Sequence, residues 1–260
     1  MVKRDANLAV LCVLTVVLLA LGGLVSDGAF LSLFNLQSMA TQVPEIGLLA
    51  IGVMLAMCAG NGGIDLSGIA NANMSGVASG IFAIATVDAA TSPMLFTVVF
   101  AVGCMTVGLI AGILNGIIIS RFAITPILAT LGTQMLFTGV AVVLSDGRSL
   151  TIGSPDPLYE LGNGVLFGMP ISFLIFLAIG AVLAVVLRLT PYGMRLMLTG
   201  ANPKAAVYSG FRGVRIITTT YAISGLLAGI AGIIIAARNV NVKWDYGTSY
   251  LLVAILIAVM

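Results

Sequence analysis

The 260 residues are 60% hydrophobic and 8% charged, with a mean hydropathy of +1.19; a soluble domain has about a quarter of its residues charged, so a soluble fold is excluded and a polytopic membrane protein is indicated. The formal net charge of +2 is small and its basic residues sit in loops rather than along one amphipathic face, which sets nucleic acid aside as a partner. There is no histidine, and Cys12, Cys58 and Cys104 stand singly in apolar runs, which argues against disulfide frameworks, zinc sites and histidine proton relays.

A helix needs roughly 20 mostly apolar residues to cross the hydrocarbon core. Candidates in chain order are Leu8–Val25, Val43–Gly60, Ile69–Val87, Met94–Ser120, Ala123–Leu144, Val165–Leu189 and Ile216–Ala237. The first is longer than the apolar core of a secretory signal, about 7 to 15 residues, and is expected to be an uncleaved span. Short basic loops are retained on the cytoplasmic side. Lys3 and Arg4 therefore place the N-terminus inside, and alternation puts Arg121 inside, the acidic segment Ser145–Gly164 outside and Arg188–Arg215 inside. An eighth apolar run, Leu251–Val259, ends after nine residues, too short to cross, so the chain reads as C-terminally incomplete. The expected fold is all-α: one polytopic transmembrane helical bundle over residues 1–260, with seven complete spans and a truncated eighth.

Between the second and third spans, Gly60-Asn61-Gly62-Gly63-Ile64-Asp65-Leu66-Ser67-Gly68 interrupts the apolar sequence with four glycines and an acid. The helix must break here. Alternation makes it a tight cytoplasmic turn; a discontinuous helix at membrane depth, lining a water-filled cavity, fits equally. Asp65 is accordingly either a solvated turn residue or helix cap, or a group on the translocation pathway.

Gly108, Gly112 and Gly116 form one face of the fourth span, and the i, i+4 spacing recurs at Gly76 and Gly80 in the third and at Gly225 and Gly229 in the seventh. Such faces let helices approach closely. Polar residues within the spans are Asn71, Asn73, Ser75, Asn115, Thr130, Thr133 and Gln134. Only Asn71 and Ser75 of the first three share a face, being four apart. Each reads either as an interhelical hydrogen-bonding residue or as lining for a polar solute; the candidate pathway residues are Asp65, Asn71, Ser75 and Asn115.

Five of the eleven Lys and Arg residues fall between Arg188 and Arg215, a stretch without Asp or Glu. Within this loop, residues 190–215, Asn202 can cap a helix, Pro203 suits its first position and Gly210 the position after its last turn. That helix carries Ala205 and Ala206 as small contact residues and Lys204 as a charge. It is too short to be stable alone, and facing the cytosol it suits a groove in a partner. The alternative is a passive connector.

Taken together, Gly62-Gly63-Ile64-Asp65-Leu66-Ser67, Gly112-Ile-Leu-Asn-Gly116, Thr125-Pro-Ile-Leu-Ala-Thr-Leu-Gly-Thr133 with Ser145-Asp-Gly-Arg148, and Tyr192-Gly-Met-Arg195 leading to Gly200-Ala-Asn-Pro-Lys-Ala-Ala206 resemble the integral membrane permeases of bacterial ABC importers for ribose, xylose and related sugars, a group akin to the branched-chain amino acid permeases. The resemblance covers nearly the whole chain. It implies a multi-pass protein of the bacterial plasma (inner) membrane. It also implies that the loop around Thr199–Gly213 docks an ATP-binding cassette subunit through Asn202, Pro203, Lys204, Ala205, Ala206 and Gly210. The implied partners are that subunit, a second permease subunit, a periplasmic or extracellular solute-binding protein and the lipid bilayer. The family continues past the region matching Leu251–Met260 with further helices.

No catalytic site and no cofactor are expected. None of Lys3, Lys204 and Lys243 follows a glycine, which excludes a P-loop, so energy must come from another subunit. An ion-coupled secondary transporter is the main competing class; it needs acids buried in spans, and only Asp65 offers one, Glu45 and Asp88 lying near span ends. A membrane-embedded enzyme lacks any nucleophile with a base partner or metal spacing.

Overall fold

The computed structural model describes residues 6–60, 62–153 and 155–260. Lys3, Arg4 and Asn61 lie outside the described residues. Each expected span is a helix: α1 (Ala6–Val25), α2 (Leu33–Cys58), α3 (Gly68–Thr86), α4 (Pro93–Phe122), α5 (Pro126–Ser145), α7 (Ile171–Leu189) and α10 (Gly213–Asn239). Helices α2, α3, α4, α5, α7 and α10 are each long and apolar enough to cross a membrane. The remaining helices are α6 (Asp156–Asn163), α8 (Pro191–Ala201), α9 (Pro203–Tyr208) and the apolar α11 (Tyr250–Val259).

Some boundaries differ from expectation for local reasons. Helix α2 starts ten residues early, at Leu33, where the hydroxyl of Ser32 accepts from the Asn35 amide, and it carries Pro44 in its interior. Residues 165–170 are not part of a span: Val165–Leu166 (β2) pairs antiparallel with Met169–Pro170 (β3), turned by Phe167 and Gly168 in positive-φ conformations. Helix α5 starts three residues late, because Ala123 is left-handed and Pro126 takes the first helical position.

Helix α10 is the centre of the bundle, burying residues of every face, including Tyr221, Gly225, Ala228, Ala231, Ile234 and Ala237. It packs most closely on α4. A Cβ on Gly108 would meet the carbonyl oxygen of Gly225 at 2.5 Å and the Cα of Gly229 at 2.8 Å, so the two backbones touch directly. Gly112 and Gly116 continue the contact against Tyr221, Gly225 and Thr218. The Gly76 and Gly80 face receives the side chains of Val242 and Ile152, with the Gly232 carbonyl of α10 3.9 Å from a Cβ on Gly76.

The loops sort to two ends. At one, Leu150–Thr151 (β1) pairs with Asn241–Val242 (β4), Gln37 donates to the Gly168 carbonyl, and Gly162 lies against Ala237 and Arg238. Here Arg238 at the end of α10 forms a 2.9 Å ion pair with the fully buried Glu45 of α2. At the other end, Gly200 of α8 abuts Gly60, and Ser120 of α4 hydrogen-bonds Thr218 of α10. That end carries Arg121, Arg188, Arg195, Lys204, Arg212 and Arg215; the first carries Asp27, Asp88, Asp146, Asp156, Glu160 and Asp245. Among the described residues, Asp65 is the acid on the connection from α2 to α3, and it is buried.

Candidate functional site

The glycine-rich break is a turn followed by a non-helical segment packed inside the bundle. Gly60 and Gly62 are left-handed, as only glycine readily is, and turn the chain beside Gly200. From Ile64 to Leu66 the chain is irregular and buried or half-buried in the bundle, and Ser67 leads into α3 at Gly68 in the helical conformation of its N-cap. Its free backbone groups find side-chain partners: Thr130 of α5 donates to the Ile64 carbonyl at 3.0 Å and accepts from the Leu66 amide at 3.1 Å. Irregular backbone inside a membrane protein requires this kind of satisfaction.

Asp65 is 3% exposed and therefore not a solvated turn residue. Its Oδ1 accepts from the Ser67 amide at 3.0 Å and from the Ser67 hydroxyl at 2.7 Å, and its Oδ2 from Ser224 of α10 at 2.7 Å. Asn115 of α4 donates to the Ser67 hydroxyl oxygen at 2.7 Å. Asp65 thus caps the approach to α3 and joins three helices through one carboxylate. Among the described residues it has no basic group within ion-pair distance.

Asn71 and Ser75 form a second cluster. Ser75 donates to Asn71 Oδ1 at 3.2 Å, and Asn71 donates to the Gly108 carbonyl at 3.2 Å, across the α3–α4 contact. Asn73 points elsewhere and holds the carbonyls of Trp244 and Tyr246. All four candidate pathway residues are therefore buried between helices. Asp65 and Asn115 are linked through Ser67, Asn71 and Ser75 pair with each other, and Asp65 borders a narrow cleft with Gly52, Ser224 and Ala254. Asn115 Oδ1 is buried without a hydrogen-bond partner. Sequence reasoning missed Ser224, whose position 159 residues beyond Asp65 leaves no local signal.

The short helix in the basic loop forms as its end signals require. The Asn202 side chain accepts from the Ala205 amide at 3.0 Å. Gly210 is left-handed, with the Gly210 amide donating to the Val207 carbonyl and the Phe211 amide to the Ala206 carbonyl, a Schellman closure. Ala206 is turned inward, only 1% exposed, whereas Val207 and Tyr208 are 64% and 91% exposed. With Pro203 and Lys204, also exposed, they make one outward helix face. Two large apolar side chains of that face thus lay outside the sequence reading, which had weighed small and charged residues.

Helix α8 anchors this unit. Leu196 is fully buried in the cluster that includes Leu55, Ala59 and Ile216, and Tyr192 hydrogen-bonds Thr220 of α10 at 2.8 Å. Burial pushes the Tyr192 phenol above its ordinary range. The Arg195 guanidinium lies 5.6 Å from the centroid of the Phe211 ring.

A helical bundle threaded by a polar, broken segment and capped at its basic end by a short helix has the build of a polytopic membrane protein. Residues 35–260 match the family described as branched-chain amino acid transport system / permease component, and the chain belongs to that family. It is similar to the ribose import permease protein RbsC of Bacillus subtilis, 31% identical over 234 residues that cover 89% of this chain and 69% of that protein. It is also similar to RbsC of Haemophilus influenzae, 28% identical with 92% and 72% covered. The galactofuranose transporter permease protein YtfT of Escherichia coli is 35% identical over 192 residues, 74% of this chain and 53% of that protein. No solved structure matches the chain.

Proposed function

We propose that this chain is a permease subunit of an ATP-driven importer that moves a sugar or similar small polar solute into the cytoplasm by alternating access. It sits in a bacterial inner membrane with its N-terminus and the basic end in the cytoplasm. The segregation of Arg121, Arg188, Arg195, Lys204, Arg212 and Arg215 from the acidic loops supports that orientation. A separate ATP-binding cassette subunit supplies the energy, a second permease subunit completes the pathway, and an external solute-binding protein delivers the solute.

The observation that carries this reading is the α8–α9 unit. Its outward face of Pro203, Lys204, Val207 and Tyr208 is a ready helix for a groove, and its inward face bears on α10 through Tyr192 and Thr220 and on the Gly60 turn through Gly200. A push on α9 is passed to α10 and to the end of α2, and through Ser224 and Asp65 to the start of α3. Docking thus involves Asn202 and Gly210 as the caps that hold α9, and Ala205 and Ala206 as the residues that seat it. Asp65, Asn71, Ser75 and Asn115 hold the pathway wall together, with Asn115 Oδ1 the acceptor that meets solute when the helices part. The three hydrogen bonds that Asp65 already accepts weigh against an ion-coupled cycle.

The test is retention of the ATP-binding subunit by the detergent-solubilised permease, comparing the unaltered chain with Val207→Asp/Tyr208→Asp, which keeps both caps. Loss of retention in the variant, with an unchanged elution profile of the permease itself, supports docking through α9. Equal retention would overturn it.

A further inference from the structure

The turn from α9 into α10, beside the docking helix and sharing Gly210 with it, holds a pocket lined by charge that the outward face of α9 does not account for. Arg195 of α8, Ser209, Gly210, Phe211 and Arg212 of the turn, and Arg215 of α10 line one shallow pocket. All three arginines are exposed, and among the described residues none has a carboxylate within ion-pair distance. The ion pairs of the described residues, Arg238 with Glu45 and Lys243 with Asp245, lie at the opposite end. Like charges converge here without compensation, at the mouth of a 27-residue helix. Arg212 occupies its N-cap position and makes no capping hydrogen bond, so the positive end of the helix adds to the same field. Arg195 is held over Phe211, which fixes one guanidinium in place at low entropic cost.

Exposed apolar side chains lie close by in the sequence. Met194, Met197 and Leu198, three and four apart on one face of α8, and Val214 of α10 are exposed, at 58%, 52%, 38% and 47%. Helix α8 therefore has the composition of a helix lying in the headgroup boundary, with apolar side chains toward the acyl region and arginine reaching back to the surface. A guanidinium cluster at that depth matches phosphate geometry with paired N–H donors.

We propose that Arg195, Arg212 and Arg215 form a binding site for the phosphate of an anionic lipid headgroup in the leaflet at the basic end of the bundle. Its occupant neutralises the arginines beside α9 and steadies the turn that joins α9 to α10. The assignment of that leaflet as cytoplasmic rests on the orientation given above, but binding itself does not.

The experiment reconstitutes the full chain in nanodiscs of phosphatidylcholine with or without phosphatidylglycerol, and in phosphatidylcholine with added inorganic phosphate. It measures retained phosphatidylglycerol by mass spectrometry and the thermal unfolding midpoint. Enrichment and a raised midpoint with phosphatidylglycerol alone are expected. An arginine in contact with the headgroup strengthens anionic-lipid binding by about fivefold, so Arg212→Gln/Arg215→Gln should weaken retention roughly 25-fold. Arg121→Gln, at the end of α4, is expected to leave retention nearly unchanged. If inorganic phosphate alone reproduces the midpoint shift, the site takes free phosphate and the lipid assignment falls. Equal retention by the double variant, or equal weakening by Arg121→Gln, would overturn the site altogether. The readouts involve no ATP-binding subunit, so their failure is separate from failure of the importer reading.

Discussion

Ser224 of α10 donates a 2.7 Å hydrogen bond to Asp65, fastening the irregular segment ahead of α3 to the central helix of the bundle. The same carboxylate accepts from Ser67 twice. Hydrogen bonds to a charged group contribute about 1.5 to 3 kcal/mol. Ser224→Ala should therefore lower stability by about that amount, and Asp65→Leu by more, because it strands both Ser67 donors as well. Thermal unfolding midpoints in detergent, with Thr219→Ala as an exposed reference on the same helix, measure the difference.

The α4–α10 contact predicts a sharp contrast between glycines. Gly112→Ala would drive a methyl into the Tyr221 carbonyl and the Gly225 backbone, whereas Gly132→Ala meets nothing within 4 Å. Overpacking costs about 1 to 3 kcal/mol where backbone cannot yield. Gly112→Ala should lose stability on that scale and Gly132→Ala should be neutral, which a size-exclusion thermostability series would show.

Sequence resolved these features unequally, and the reason is distance along the chain. The caps of α9 are local signals, so Asn202, Pro203 and Gly210 could be placed from spelling alone. The seven long helices follow from apolar run length. The glycine rows were visible, but not their partners: Gly108 and Gly112 do meet Gly225 and Gly229, while Gly76 and Gly80 make room for Val242 and Ile152 from loops far away. The β2–β3 hairpin was hidden because Val165, Leu166, Phe167 and Met169 are as apolar as a span, and only Gly164, Gly168 and Pro170 hint at the turn. Burial of Asp65 depended on a donor 159 residues away, Ser224 of α10.

Caps on α9 give a third prediction. Asn202→Ala removes the acceptor for the Ala205 amide, a loss of about 1 kcal/mol for an N-cap. Gly210→Ala forces a side chain into a left-handed backbone, a cost of about 1 to 2 kcal/mol. Both should speed amide hydrogen exchange across residues 203–208 while leaving α4 and α10 protected. Unchanged exchange in that segment would contradict the capping roles.

Alkaline pH offers a fourth. Tyr192 has a raised folded pKa, chiefly from burial, against an ordinary value of 10.0. The folded state thus holds the phenolic proton more tightly than the unfolded state, and its contribution to stability is full below about pH 10 and is lost as pH rises through the folded pKa. Tyr192→Phe should flatten this part of the stability profile above pH 10, measured as the unfolding midpoint from pH 8 to 11.5.

The central position of α10 also dictates an order of assembly. Residues 213–239 supply the donor for Asp65 Oδ2 and the glycine backbone that faces Gly108 and Gly112, yet they are synthesised after α1 to α5. During translation the earlier helices enter the membrane with a buried-type acid and a bare glycine groove awaiting their counterpart. Until Asn239 has emerged, the nascent bundle is an open shell, and that interval is when insertion factors and quality-control proteases would encounter its polar interior.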